Sequence, residues 1–345
     1  MSNALTSDEF DADLARVIDD AGVRTNRPLI ARIMRTGLLL GTDGTSRLDL
    51  KIASAALSEM RDAFGLFRPY VETPKVTVFG SARTLHDDPL YAQARDVAAA
   101  LAAQGWMVVT GAGPGIMQAA AEGAGDAMAL GVSIRLPFEE KPDETLVADD
   151  AHVVQMKYFF TRKLMLMKES LGFICLPGGF GTMDEMFELL TLQQTGKAEP
   201  MPIVLLDQPD GRFWAGLTRF VDEQMIPAGV IAPDDLERVL VTDSVDAAVA
   251  EITRFWRNYH SLRWVGDRLV LRLRAEPSDE DVAGLNEQFA DELADGPIEK
   301  SVPLHVEHLD QDRLDLHRLV LRLRPRAVGS LHRLIRAINA LPTAP

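Results

Sequence analysis

The chain has 345 residues, a formal net charge of −15, 47% hydrophobic and 25% charged residues, and one cysteine. This is an ordinary globular mix, long enough for two domains. The negative balance disfavours a nucleic-acid partner, whose phosphates it would repel, and one cysteine excludes an intramolecular disulfide framework. No apolar run approaches the roughly 20 residues needed to span a bilayer. The start, Met1 to Phe10, lacks the basic and apolar regions of a secretory signal, so a cytoplasmic location is expected.

Residues 1–70 read as a helical arm. Ile52, Ala56, Leu57, Met60 and Phe64 recur at helical spacing and Pro69 closes the segment. Such an arm is expected to pack on the central domain or on a partner subunit. From 71 to 264 strands and helices alternate, with strands expected near 75–79, 106–110, 131–136, 171–176, 202–206 and 238–241. That alternation predicts an α/β fold, a doubly wound parallel sheet with helices on both faces. An aromatic-rich helix over Phe255–Trp264 is expected to close it.

Residues 265–345 carry an internal repeat. Arg268-Leu-Val-Leu-Arg-Leu-Arg274 recurs as Arg318-Leu-Val-Leu-Arg-Leu-Arg324. Each copy alternates leucine with mainly arginine and reads as a strand with one buried side. Helical stretches follow at Asp279–Leu293 and Val328–Leu341, and Ile298–Glu307 reads as another strand. The order β-α-β-β-α predicts a small α+β domain with a duplicated β-α unit, of ferredoxin-like type. The arginine face (272, 274, 322 and 324) has two readings: a seat for a regulatory nucleotide, or a sheet face paired with local acids or a second subunit.

Three strand-to-helix turns are rich in glycine or small residues. The first is Gly80-Ser81-Ala82-Arg83, and the second is Gly111-Ala-Gly113-Pro-Gly115, followed by Ile116 and Met117. The third is Pro177-Gly178-Gly179-Phe180-Gly181-Thr182-Met183-Asp184-Glu185. Glycine lets the backbone approach a ligand closely, and a helix start offers free N–H groups to a phosphate. In open α/β sheets ligands bind beyond the carboxyl ends of the strands, so the turns could line one mononucleotide-sized pocket. The second turn is neither the dinucleotide fingerprint nor a P-loop. Glu185 has a plainer reading, since Thr182-x-x-Glu185 fits a capping box. Cys175, in an apolar strand, reads as a buried thiol rather than a nucleophile. Asp184 and Glu188 lie four apart but have no histidine or ligand spacing beside them, so no metal is expected. The seven histidines are scattered outside the turns and carry no assigned role. Arg162 and Lys163 lie on an amphipathic helix, where such residues usually form a solvated face.

The PGGxGTxxE segment, the Gly111–Met117 turn and the Arg162-Lys163 pair together resemble the LOG family of nucleoside 5'-monophosphate phosphoribohydrolases, many once labelled lysine decarboxylases. The resemblance covers roughly residues 70–260, with Ala112 standing where many members have glycine. It implies a Rossmann-like fold, no cofactor, an assembly of two or more copies, and hydrolysis of a nucleotide to free base and ribose 5-phosphate. Glu185 and Arg162 would be catalytic. Gly178, Gly179, Gly181 and Thr182 would hold the phosphate, while Gly80, Ser81, Arg83, Gly111, Gly113, Gly115, Met117 and Lys163 would frame the rest. The alternative is a non-catalytic nucleotide or molybdenum-cofactor carrier of the same superfamily. A true lysine decarboxylase is disfavoured, because the motif region shows no convincing lysine for pyridoxal phosphate.

Overall fold

The computed structural model describes residues 7–135, 152–324 and 328–345. Two compact units divide at Arg61 and Asp62. The first is helical, with α1 (Ser7–Asp20), α2 (Arg27–Thr42) and most of α3 (Arg47–Phe67). Within it α1 and α2 are tied by the ion pairs Arg27–Asp19 and Arg35–Asp11, and the Arg35 guanidinium lies 5.3 Å from the centroid of the Phe10 ring.

The second unit begins with strands and helices in alternation. They are β1 (Lys75–Phe79), α4 (Pro89–Ala102), β2 (Met107–Thr110), α5 (Ile116–Ala124), β3 (Ala129–Ile134), β4 (Val153–Met156), α6 (Phe159–Lys168), β5 (Phe173–Cys175), α7 (Phe180–Gln194), β6 (Ile203–Leu206), α8 (Phe213–Phe220), β7 (Val239–Thr242) and α9 (Val245–Arg254). The seven strands form one parallel sheet in the order β4-β3-β2-β1-β5-β6-β7. Its central strands are buried on both faces, which is why they read as continuous apolar runs. One face packs Val97, Leu101, Ile116, Ala120 and Ile252 of α4, α5 and α9 against Val76, Val78, Ile174 and Val204. The expected strand 131–136 is β3; residue 136 lies outside the described residues. β4 was not foreseen.

The strand order fixes the place of the site. The chain starts mid-sheet at β1, winds outward to β4, then returns to lay β5 on the other side of β1. The connections therefore diverge between the carboxyl ends of β1 and β5, opening a crevice there.

The remaining elements are β8 (Tyr259–Val265), β9 (Arg268–Leu273), α10 (Asp279–Gln288), β10 (Glu299–Ser301), α11 (His305–Asp310), β11 (His317–Leu321) and α12 (Val328–Ala340). The strands make an antiparallel sheet, β10-β11-β9-β8, in which β11 lies between the two strands joined by α10, a split β-α-β arrangement. The two repeats pair directly, Leu269 with Leu321 and Leu271 with Leu319, and their leucines are buried together under α12.

The structure departs from two expectations. Tyr259–Val265 is a strand rather than the end of an aromatic helix, because the two-residue turn Gly266-Asp267, with Gly266 at φ +63°, folds it back on β9. Ile298–Glu307 is not one strand. Pro303 cannot donate to a ladder, and Glu307 accepts from the Leu304 N–H (3.0 Å) to start α11. The arginine face is also largely occupied. Arg272 is buried against Glu307 and Asp312, Arg322 pairs with Asp267, and Arg274 and Arg324 donate to the carbonyls of Trp256 and Leu293.

Candidate active site

The three small-residue turns meet at the crevice. The Ser81 N–H donates to Pro177 O (3.2 Å) and the Ile116 N–H donates to Ser81 O (3.1 Å), which stitches the turns after β5, β1 and β2 together. The glycines make this possible. A Cβ on Gly178 would stand 2.2 Å from Thr182 Oγ1, and one on Gly115, at φ +68°, would meet Ser81 O at 2.4 Å. A cavity of about 1310 Å³ lies over the junction. Gly80, Ser81, Arg83, Gly111, Gly113, Met117, Arg162, Gly178, Gly179, Gly181, Thr182 and Glu185 all line it. Gly115, expected to frame the nucleotide, does not line the cavity and packs against the Ser81 carbonyl instead.

Helix α7 starts earlier than the capping-box reading requires. Its N-cap is Gly179 with no side-chain cap, and Met183 N–H is bonded to Gly179 O at 3.1 Å. The N–H groups of Phe180, Gly181 and Thr182 precede that bond and have no acceptor within the helix. They face the crevice end of β5, where the helix start favours an anion. Thr182 and Glu185 therefore lie inside α7, and Glu185 caps nothing.

Glu185 is 5% exposed, and its Oε2 has no hydrogen-bond partner among the described residues. Burial pushes its carboxyl up to about 7, against the opposing pull of Lys163 and Arg162. Arg162 is no solvated residue. Its Nε donates to Val132 O (2.9 Å) and its Nη2 to Gly111 O (3.3 Å), so α6 delivers a guanidinium fixed over the ends of β2 and β3. Burial draws Arg162 below its ordinary value, partly offset by the charge of Glu185.

Lys163 stands apart from the cavity wall. Its Nζ lies 2.7 Å from both Asp184 Oδ2 and Glu188 Oε2, on the flank of α7. Among the described residues no group of three or more His, Cys, Asp or Glu could hold a metal, and no helix is long and apolar enough to cross a membrane. Cys175 is buried, and burial pushes its thiol up.

Arg135 and Gln155, at the ends of β3 and β4, also line the cavity and were not singled out from the sequence. Phe159 and Phe180 are exposed at its wall.

Comparison with known proteins agrees with the motif reading. The family model described as "Possible lysine decarboxylase" matches residues 115–252. A Mycobacterium tuberculosis protein named cytokinin riboside 5'-monophosphate phosphoribohydrolase is 32% identical over 178 residues, half of this chain and 90% of that protein. The chain belongs to the LOG family. A protein of the same name from Rhodococcoides fascians is 33% identical over 103 residues, 30% of this chain and 49% of its own. Among solved structures, the molybdenum cofactor binding protein of Rippkaea orientalis is 20% identical with a TM-score of 0.36, covering 51% of this chain and 93% of that one. A likeness at that level does not bear on what the cavity binds.

Proposed function

We propose that this LOG protein hydrolyses the N-glycosidic bond of a nucleoside 5'-monophosphate, releasing free base and ribose 5-phosphate. The observation that carries the reading is the unpartnered, buried carboxylate oxygen of Glu185, in one cavity with the Arg162 guanidinium and the free N–H groups of α7. The 5'-phosphate rests on Gly179, Gly181 and Thr182 at the helix start. As the bond from C1' to the base nitrogen breaks, its electron pair leaves with the base and positive charge builds on the ribose. The Glu185 carboxylate stabilises that charge and takes a proton from the water that attacks C1'. Arg162 donates toward the departing base. Relatives named for cytokinin riboside 5'-monophosphate support a purine nucleotide, AMP or an N6-substituted AMP among the candidates. The exposed phenyls of Phe159, Phe160 and Phe180 support a homo-oligomer assembled near the cavity mouth, which light scattering would detect.

The test is a panel of nucleoside 5'-monophosphates incubated with the pure protein and with Glu185→Gln, assayed for free base and ribose 5-phosphate. Release by the native protein and none by the variant supports the reading. Equal release by both removes Glu185 from the mechanism, and no release by either removes the hydrolase.

A further inference from the structure

The cavity extends past the glycosidic-bond region to the outer edge of the parallel sheet. The phosphate-ready helix start follows β5, and Arg162 is anchored on the ends of β2 and β3. Beyond Arg162 the wall continues to Arg135, just after β3, and Gln155, on β4. Adjacent strands lie about 4.8 Å apart, so β5 to β3 spans about 14 Å across the strand ends. A nucleotide with its phosphate at α7 and its glycosidic bond near Glu185 and Arg162 thus directs its base toward β3 and β4.

The chemistry of that end is one-sided. Arg135 Nη2 donates to Gln155 Oε1 at 2.8 Å. A guanidinium has donors and no acceptor, so the amide must turn its oxygen toward it. Gln155 is left with its Nε2 donor, and Arg135 with its remaining N–H groups. Among the described lining residues the carboxylates are Asp184 and Glu185, both on α7. Among the described residues the base end therefore presents the side-chain donors of Arg135 and Gln155 and no carboxylate. A 6-oxopurine offers two adjacent acceptors, O6 and N7, to such a group, whereas a 6-aminopurine places a donor there. Glutamine reads adenine through its amide oxygen as well as its nitrogen, and that oxygen is already engaged.

We propose that Arg135 and Gln155 form the base-reading pair of this protein and select nucleoside 5'-monophosphates with a 6-oxopurine base over those with a 6-amino or N6-substituted base. The inference rests on the nucleotide reading above and, within its purine class, turns away from AMP and N6-substituted AMP, the candidates that the relatives' names suggest.

The experiment measures kcat/KM for GMP, IMP, AMP and N6-isopentenyl-AMP on the native protein, Arg135→Gln and Gln155→Leu, with dissociation constants for GMP and AMP by calorimetry on the same three. Both side chains are exposed at strand ends, so the variants are expected to fold, and circular dichroism verifies it. The native protein is expected to prefer the 6-oxopurines at least tenfold. Arg135→Gln should lower the GMP-to-AMP ratio at least tenfold, and Gln155→Leu should lower it less, by freeing Arg135 from its support. Equal or greater use of AMP or its N6-substituted form by the native protein overturns the proposal, as does an unchanged ratio in Arg135→Gln. If no nucleotide is hydrolysed, the proposed activity falls by itself. The ratio of dissociation constants then decides the base-reading pair on the same criteria.

Discussion

The Arg162 guanidinium donates to the carbonyl oxygen of Gly111, joining a helix of one motif to the glycine turn of another at 3.3 Å. The contact depends on Gly111 lacking a side chain. A Cβ there would stand 1.9 Å from Arg162 Nη2 and 2.8 Å from Met117 Sδ. Arg162 is a flexible side chain at a cavity wall, so it would move rather than unfold the sheet. Gly111→Ala is thus expected to leave the melting temperature within a few degrees of native. It should lower kcat/KM by about 100-fold, the scale of a misplacement of about 1 Å in a catalytic group. Retained activity with a shifted fold would mean that Arg162 serves packing alone.

Burial raises Glu185 to about 7 in the folded protein from an ordinary 4.5. If the carboxylate form acts, kcat/KM rises with pH through an inflection near 7 in the free enzyme. Stability runs the other way. Between those two values the folded state holds a proton that the unfolded state has released, so stability falls as pH rises through the window. Glu185→Gln should abolish turnover by at least about 100-fold, a typical loss for a group stabilising transition-state charge. It should also remove this part of the stability slope, read from denaturant titrations at pH 5 and pH 8.

Lys163 supports the same carboxylate from a distance. Its ammonium is held by Asp184 and Glu188 on the flank of α7, and its charge pulls Glu185 down. Replacing Lys163 with methionine removes that pull and leaves two like charges beside Glu185. The inflection in kcat/KM is expected to move to higher pH, with activity recovering toward native at alkaline pH. A loss of activity independent of pH would instead make Lys163 a substrate ligand.

The site was legible in the sequence where backbone geometry forced a residue type. Gly178 and Gly115 stand out because any side chain would strike Thr182 or Ser81, and that need leaves glycine clusters at strand ends. Glu185 was ambiguous because the spacing Thr182-x-x-Glu185 serves two structures, and where α7 begins decides between them. Arg135 and Gln155 were invisible. Each is a lone polar residue at a strand end, one on a four-residue strand that no periodicity reveals, and their pairing spans 20 positions. The same holds for the repeat. Alternation marked the leucine face of β9 and β11, but it could not tell that Arg272 would be buried by acids brought over from α11 and the loop after it.

Ala112 records a small cost that can be removed. It adopts φ +51°, the left-handed region that favours glycine. The Thr110 hydroxyl accepts from its N–H at 3.1 Å and helps hold the turn. A non-glycine residue pays about 1–2 kcal/mol in that region, while glycine loses about 0.5–1 kcal/mol more in backbone entropy on folding. Ala112→Gly is expected to stabilise the protein by up to about 1 kcal/mol in denaturant titration. A destabilised variant would mean that the methyl group packs to more effect than the strain costs.

Glu307 is fully buried between two arginines. Its Oε1 accepts from Arg272 Nη2 at 2.8 Å, its Oε2 from Arg318 Nε at 3.0 Å, and the same Oε2 caps α11 through the Leu304 N–H. Burial pushes this carboxyl up, but the hydrogen bonds from Arg318, Leu304 and Arg272 outweigh it and hold Glu307 below its ordinary value. Its contribution is therefore present above the ordinary carboxylate range and lost as pH falls through the lowered folded value. Glu307→Gln keeps the shape and removes the charge, leaving the buried Arg318 without a carboxylate partner and Arg272 with Asp312 alone. The expected loss is about 3–5 kcal/mol, the usual cost of removing one partner from a buried pair. If the C-terminal sheet serves only as a scaffold, kcat/KM per folded molecule will stay near native while stability drops. A change in kcat/KM larger than the change in folded fraction would show that this sheet acts on the cavity, and would direct attention to α12, where Arg336 pairs with Glu251 of α9 at 2.6 Å.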